Sequence, residues 1–473
     1  MTRTRFSPSP TGMLHIGNAR TALFSALYAV KEKGIFILRI EDTDQARSEH
    51  KYTEILQDDL HWLGVTWQEG PEVGGPYQPY WQSQRHEIYD HYYQELEKQG
   101  LAYPCFCTEQ QLALNRKIQL SRGQAPRYPG TCRKLSAEEI AKRIAGGEKP
   151  SLRFHVPEKT MIEFVDLVKG TQQFHSADIG DFIIRRAEGT ASFMFSNAID
   201  DSLMKVTLAM RGDDHLANTP RQLMILKALN MPAPQYAHLS LITGDDGTPL
   251  SKRHGSFSLN DLRQQGYLPI AVLNYLSRLS HAYEQKQLMP FSELAAHFKI
   301  EKLSRAPARF DKNQLLHWQK EAVMELDNVG ILEWLRENNI MVGKIPETKR
   351  DLFIEVMRQN ILFPSEAERW ADVLFHRPPE FTEEQLAILK EAGEDFFIEA
   401  CQLVKKHGTN LKATCDDLKN KLNVSGKKLF MPLRIALTGE QHGPELPHIA
   451  TLLGPENMMN YFHHAALRAA RGG

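Results

Sequence analysis

The stretch that most constrains the fold of this chain is Arg5 to Arg20, RFSPSPTGMLHIGNAR. Pro8, Pro10 and Gly12 break an apolar opening, so a strand that begins near Arg5 turns here. Ala19, Ala22, Leu23, Ala26, Leu27 and Val30 then recur at helical spacing, Gly34 supplies a stop, and Ile35 to Ile40 has the composition of a strand. A strand, turn, helix, strand opening aims free backbone N–H groups and the positive end of a helix dipole at whatever sits above the turn, which suits a phosphate-bearing ligand. Gly17 lets such a ligand approach the backbone. An ordinary strand-to-helix turn of an α/β domain accounts for the glycines equally well.

At 473 residues the chain exceeds one ordinary domain and suggests roughly three or more. Hydrophobic residues at 42% and charged residues at 24% fit a globular chain with sizeable cores. The formal net charge is −1, so a polyanionic partner would have to meet local basic patches. The sequence contains no apolar stretch long enough to cross a bilayer, and an N-terminus carrying Pro8 and Pro10 is unlike a signal peptide. Five cysteines, three of them clustered, argue for a reducing cytoplasm and against a disulfide framework.

Glu41-Asp42-Thr43-Asp44 follows the second strand, at the sheet edge where open α/β sheets bind ligands; a solvated acidic loop is the competing reading. Cys105 and Cys107 flank Phe106, and Cys132 follows across a turn, a pattern that suits zinc but is one ligand short. Buried thiols left from a lost site are the alternative. Arg116, Lys117, Arg122, Arg127, Arg133 and Lys134 surround them, as a phosphate-binding patch or a solvated face. Ser151 to Arg186 is rich in strand formers, with Phe154, Val156, Ile162, Phe164 and Val165 among polar residues. Asp181 to Ile184 reads as a buried strand that resumes the first domain. Beyond Leu259 the pattern is helical almost throughout.

PSPTGxLHxGN followed by RIEDTD resembles the first signature of the glutamyl-tRNA synthetases, which are class I aminoacyl-tRNA synthetases; His15 to Asn18 stands at their HIGH-type motif. Pro249-Leu250-Ser251-Lys252-Arg253 resembles their second, KMSKR-like loop, with Pro249 in place of its first lysine. SFMFSNAIDDSLMKVTLAMRGDDHLANTPRQ and LFMPLRIALTGEQHGPELPHIATLLG also match, so the resemblance runs from Arg5 to Gly454. It implies an α/β Rossmann-type catalytic domain with an inserted α+β acceptor-binding domain, followed by an all-α anticodon-binding region. The expected division is 1–100 and 181–248 for the two catalytic halves, 101–180 for the insert, 249–317 for the KMSKR-like loop and stem-contact domain, and 318–473 for the helical region.

The resemblance also implies roles. Pro8, Gly12, His15, Gly17, Asn18, Ser251, Lys252 and Arg253 would bind ATP, with His15 and Lys252 catalytic. Arg5, Ser9, Glu41, Phe193, Asn197 and Arg211 would bind glutamate; Phe193 stands where a tyrosine is usual, which removes one hydroxyl contact. Zinc-bearing members complete their site with a histidine or a tyrosine, and no histidine follows Cys132, so Tyr128 joins Cys105, Cys107 and Cys132 as the expected ligand set. Arg358 is the expected tRNA contact in the helical region. Expected partners are L-glutamate, ATP with Mg2+, tRNA(Glu) and a structural Zn2+, in a cytoplasmic monomer with no membrane association. A shorter relative that glutamylates a modified nucleotide of tRNA(Asp) lacks the helical C-terminal region. A non-catalytic tRNA-binding paralogue would be expected to lose His15, Arg211 or Lys252, and all three are present.

Overall fold

The computed structural model describes residues 1–43, 50–250 and 257–470; Asp44, Ser251, Lys252 and Arg253 lie outside the described residues. The chain divides into two compact units, Met1–Arg263 with Pro269–Gln314, and Gln264–Leu268 with Leu315–Gly473.

The described residues of the first unit form eleven strands: β1 (Arg3–Phe6), β2 (Ile35–Leu38), β3 (Ala102–Cys105), β4 (Ser151–Phe154), β5 (Met161–Asp166), β6 (Gly170–His175), β7 (Phe182–Arg185), β8 (Leu208–Gly212), β9 (Gln235–Leu239), β10 (Ile242–Thr243) and β11 (Ala308–Arg309). The main sheet runs β2-β1-β8-β9-β5-β6. Its first five strands are parallel to their neighbours, and β6 closes the edge antiparallel to β5. From β1 the chain crosses through helix α1 (Ile16–Lys31) to β2 on one side, while β8 flanks β1 on the other. The strand order therefore reverses beside β1, and a crevice opens at the carboxyl ends of β1 and β8.

α1 forms as its sequence dictates. Ala19, Ala22, Leu23, Ala26 and Leu27 are all buried, and small residues on that face let the helix lie close to the sheet. The helix ends at Lys31, ahead of the Gly34 expected to stop it, and Lys33 takes a left-handed φ of 49°; Gly34 is required for a close approach, since a Cβ there would stand 2.3 Å from the carbonyl oxygen of Thr2.

Three strands depart from the sequence expectation. Phe182–Arg185 does not resume the main sheet; it pairs antiparallel with β4, giving a separate three-stranded sheet β3-β4-β7. Conversely β5 and β6 extend the main sheet, because Asp166 of β5 pairs with Tyr236 of β9. The physical reason is a shared core. Leu152, Phe154 and Ile184 of the small sheet pack in one cluster with Tyr89 and Tyr93 of helix His86–Lys98 and Phe195 of helix Phe193–Leu203. Apolar runs feeding one continuous core carry no mark of which sheet they join.

The second unit is helical, with no strand among its described residues. Helix Glu394–His407 packs along helix Leu446–Ala470, which kinks at Gly454, where φ is 79°. Gly266 anchors its edge: Trp334 Nε1 donates to the Gly266 carbonyl at 2.9 Å. No helix among the described residues is long and apolar enough to cross a membrane.

Because Phe195 is fully buried and stacked on Tyr93 at 4.3 Å, Phe195→Ala is expected to cost about 3–5 kcal/mol. Urea unfolding should show the small sheet and the main sheet losing structure in one shifted transition; two separated transitions would contradict the shared core.

Candidate active site

The crevice at the carboxyl ends of β1 and β8 is a cleft of about 510 Å³. Of the residues expected at the site, Arg5, Pro8, Ser9, His15, Gly17, Asn18, Glu41, Phe193, Asn197 and Arg211 line it. Gly12 does not, and a Cβ built there would meet nothing within 4 Å.

At the helix end of the cleft, His15 caps α1: its Nδ1 accepts from the Gly17 backbone N–H at 3.3 Å. An accepting Nδ1 puts the proton of the neutral ring on Nε2, and burial lowers the pKa of His15, so the neutral form is favoured. A Cβ at Gly17 would meet only His15 Nδ1, at 3.6 Å, which leaves the backbone open to a ligand. The described residues on either side of Ser251, Lys252 and Arg253 are hydrogen-bonded at this end of the cleft. Leu250 donates to the Ile242 carbonyl at 2.9 Å, Ile16 donates to the Phe257 carbonyl at 3.0 Å, and Leu259 donates to the Leu14 carbonyl at 2.9 Å.

The other end is a buried charge network that motif reading did not reveal. Arg5 donates to both oxygens of Asp201 at 3.1 Å and to the Met210 carbonyl at 2.9 Å. Arg39, with no exposed surface, reaches Asp201 Oδ1 at 2.8 Å and Glu41 Oε1 at 3.3 Å. Asn197 donates to the same oxygen of Glu41 and accepts from Gln222. Burial raises the pKa of Glu41 despite Arg39 and Asn197, whereas Arg5 and Arg39 overcome burial at Asp201 and hold it below the usual carboxylate range.

Arg211, on β8, is different. Its Nε donates to His238 Nε2 at 3.1 Å and one terminal nitrogen donates to Thr219 Oγ1 at 2.8 Å. The other, Nη1, is buried with no hydrogen-bond partner. Among the described residues Arg211 has no carboxylate partner, and burial brings its pKa down to about 10. Arg211 lines the cleft, and a buried guanidinium with an unpaired nitrogen there suits an anion. Sequence reading named Arg211 but missed His238, Thr219, Arg39 and Asp166; the signal for His238 was a lone histidine inside the buried strand QYAHL. Phe193 faces the cleft with its ring 5.1 Å from that of His215.

In the insert, the Sγ atoms of Cys105, Cys107 and Cys132 lie within 4.8 Å of one another. Tyr128 Oη is 3.4 Å from Cys105 Sγ and 3.6 Å from Cys107 Sγ, and the Cys107 and Cys132 sulfurs are 3.7 Å apart. Tetrahedral zinc with Zn–S bonds of about 2.3 Å has sulfur–sulfur edges near ~3.8 Å, so the donor set fits that ion. Burial raises Cys105, yet its hydrogen bonds with Tyr128 and Arg153 outweigh it and bring the thiol to about 7. Arg153 also lies over the Tyr128 ring at 3.8 Å. Far along the chain, Arg358 ends helix Arg350–Arg358, half-buried and bonded to Asn328 Oδ1.

Residues 1–317 match the family described as tRNA synthetases class I (E and Q), catalytic domain, and residues 301–465 match an anticodon binding domain. Fold and cleft are thus those of a class I tRNA synthetase. The chain is 51% identical to glutamate–tRNA ligase 2 of Coxiella burnetii (strain RSA 331), over 98% of this chain and all of that one. It is 51% identical to glutamate–tRNA ligase 2 of Nitrosococcus oceani, over 96% and 95%. The crystal structure of a glutamate–tRNA synthetase from Elizabethkingia anophelis superposes with a TM-score of 0.86 at 29% identity, covering 98% of this chain and 99% of that one. The chain belongs to the glutamate–tRNA ligase family.

Asp201 joins two arginines in the dry interior, so Asp201→Asn is expected to remove about 3–5 kcal/mol of stability at pH 7. Its folded pKa is depressed, so this stabilisation is present above the unfolded value of about 3.9 and is lost as pH falls through the folded one. Denaturant titrations should show the gap between the two proteins constant from pH 7 to about pH 5 and narrowing only in acid.

Proposed function

We propose that this chain is a glutamate–tRNA ligase that activates L-glutamate with ATP and transfers it to the 3′ end of tRNA(Glu). The observation that carries the substrate choice is Arg211: buried, lacking a carboxylate partner among the described residues, with one nitrogen idle at the cleft wall. The local charge balance supports it. Arg5, Arg39 and Arg211 set three positive charges against the carboxylates Glu41 and Asp201, leaving one positive charge uncompensated. Glutamate, with two carboxylates and one ammonium, carries the single negative charge that closes this balance. Its ammonium goes to Glu41, which Arg39 and Asn197 hold in orientation, and a carboxylate goes to Arg211.

ATP, supplied as its magnesium complex, takes the α1 end, with Pro8, Gly17 and Asn18 along its path. His15 presents Nε2–H, and the Ser251-Lys252-Arg253 segment supplies further donors. The substrate's own α-carboxylate attacks the α-phosphate, pyrophosphate leaves, and a ribose hydroxyl of tRNA later attacks the adenylate. No side-chain nucleophile is required; the protein contributes positioning and stabilisation of developing phosphate charge. Lys252 neutralises that charge in this reading. The five-part division expected from sequence describes the work: two catalytic halves, an insert that holds the acceptor end, a stem-contacting segment and a helical region that reads the anticodon. Arg358 contacts a loop base by exchanging its bond to Asn328, an exchange of one polar partner for another. The protein acts as a cytoplasmic monomer. Cys105, Cys107, Cys132 and Tyr128 hold a structural zinc ion that ties the turn around Cys132 to the end of β3.

The test is ATP–pyrophosphate exchange in the presence of tRNA(Glu). Glutamine should be poorer than glutamate by roughly 10⁴-fold in kcat/KM, because an amide leaves the guanidinium without its anion. Arg211→Ala should lower activity on glutamate by roughly 10²-fold or more and gain none on glutamine. Comparable activation of glutamine by the unmodified protein would overturn the reading.

Metal analysis should find about one zinc per chain, and Cys105→Ser should release it and lower the melting temperature. Protein free of metal with all three thiols open to titration would favour a lost site.

A further inference from the structure

Arg211 owes its orientation to a chain of groups that begins on a different part of the fold. An arginine Nε can only donate, so His238 Nε2, 3.1 Å away, must accept. The proton of His238 therefore sits on Nδ1, which lies 2.6 Å from Asp166 Oδ2. Asp166 is itself fixed at the end of β5, where it accepts the backbone N–H groups of Val168 and Lys169 at 2.9 and 2.7 Å and that of His238 at 3.1 Å. Thr219 completes the cage: its hydroxyl accepts from Arg211 and lies 3.2 Å from His238 Nε2. Asp166 and His238 have no exposed side-chain surface. Burial lowers the pKa of His238 and outweighs the pull of Asp166, in keeping with a neutral ring.

We propose that Asp166 and His238 are positioning residues for substrate: they lock the histidine tautomer that holds the Arg211 guanidinium in place at the cleft wall for the glutamate carboxylate. Glutamate affinity is then controlled from the β5–β6 hairpin, outside the two nucleotide signatures. This rests on the glutamate-activating reading above. The competing role is purely structural, a polar tie between β5 and β9. The two differ in what they affect, because the tie would influence the whole cleft while the relay acts on one substrate.

The experiment is ATP–pyrophosphate exchange with tRNA(Glu), full-length protein, and KM measured separately for glutamate and ATP, alongside melting temperatures. His238→Leu removes the acceptor and should raise KM for glutamate by roughly 10- to 100-fold, the range for one lost hydrogen bond to a charged group, with KM for ATP unchanged. His238→Gln places an amide oxygen within reach of Arg211 and should recover most of that affinity. Asp166→Asn lets the imidazole adopt the tautomer with Nε2–H facing another donor, and should reproduce the glutamate-specific KM increase. An unchanged KM for glutamate, or equal increases for both substrates with a lowered melting temperature and no recovery in His238→Gln, would overturn the relay alone. Failure of the unmodified protein to activate glutamate would overturn both the relay and the function on which it rests.

Discussion

The structure depends on burying guanidinium groups at the carboxyl edge of its parallel sheet. Moving such a charge out of water costs several kcal/mol even after relaxation, so it persists only where partners are built around it. Arg5 and Arg39 share Asp201, and Arg39 also holds Glu41. Arg85 pairs with Asp200, next to Asp201 on helix Phe193–Leu203, and Tyr89 donates to the same carboxylate at 2.7 Å. One helix thus supplies adjacent carboxylates, one tied to Arg5 and Arg39 at the sheet edge and the other to Arg85 and Tyr89. Against this closed background Arg211 stands out, since its charge is solvated by a histidine and a hydroxyl but not neutralised. On the proposed reading an anionic side chain supplies the charge that Arg211 lacks among the described residues.

Legibility in the sequence followed the range of the interaction. The opening β1, α1, β2 unit was readable because apolar spacing and proline and glycine positions are local, and the structure has it as expected. The helical nature of the second unit was readable for the same reason. Residues in contiguous motifs, such as Ser9, His15, Gly17 and Asn18, gather at one cleft because one turn carries them. What stayed hidden was pairing over long separations. Arg5 meets Asp201 across nearly two hundred positions, and no spacing rule links a charge on β1 to one on a later helix. Arg5, expected to hold substrate, is largely committed to that partner, a fact invisible until the strands are placed side by side.

The misplaced strands have a related cause. Strand propensity in residues 151–186 is real, since four of the strands lie there, but propensity says nothing of partner. Phe154 and Phe182 stack at 5.4 Å, a cross-strand contact that draws β7 to β4. The amphipathic hairpin β5–β6 has instead a free edge of the main sheet to cover, and it does so with one face buried and the other wet: Ile162 and Asp166 are buried whereas Met161, Glu163 and Val165 are exposed. Covering that edge puts Asp166 under β9. The segment that interrupts the catalytic sequence is in this way also what completes the wall behind Arg211.

Such a design separates the two demands of the proposed reaction. Phosphate charge changes during the reaction, and the donors assigned to it belong to the α1 terminus and to Ser251, Lys252 and Arg253, whose described neighbours Leu250 and Phe257 are hydrogen-bonded to Ile242 and Ile16. The amino-acid carboxylate held by Arg211 does not react and gains from rigidity, since every degree of freedom frozen before binding is one not lost on binding. The cage of His238, Thr219 and Asp166, buried and cross-linked between three elements, has that rigidity. On the proposed reading, selectivity for an anionic side chain rests on groups buried in the folded core, while the groups assigned to phosphate lie at the other end of the cleft.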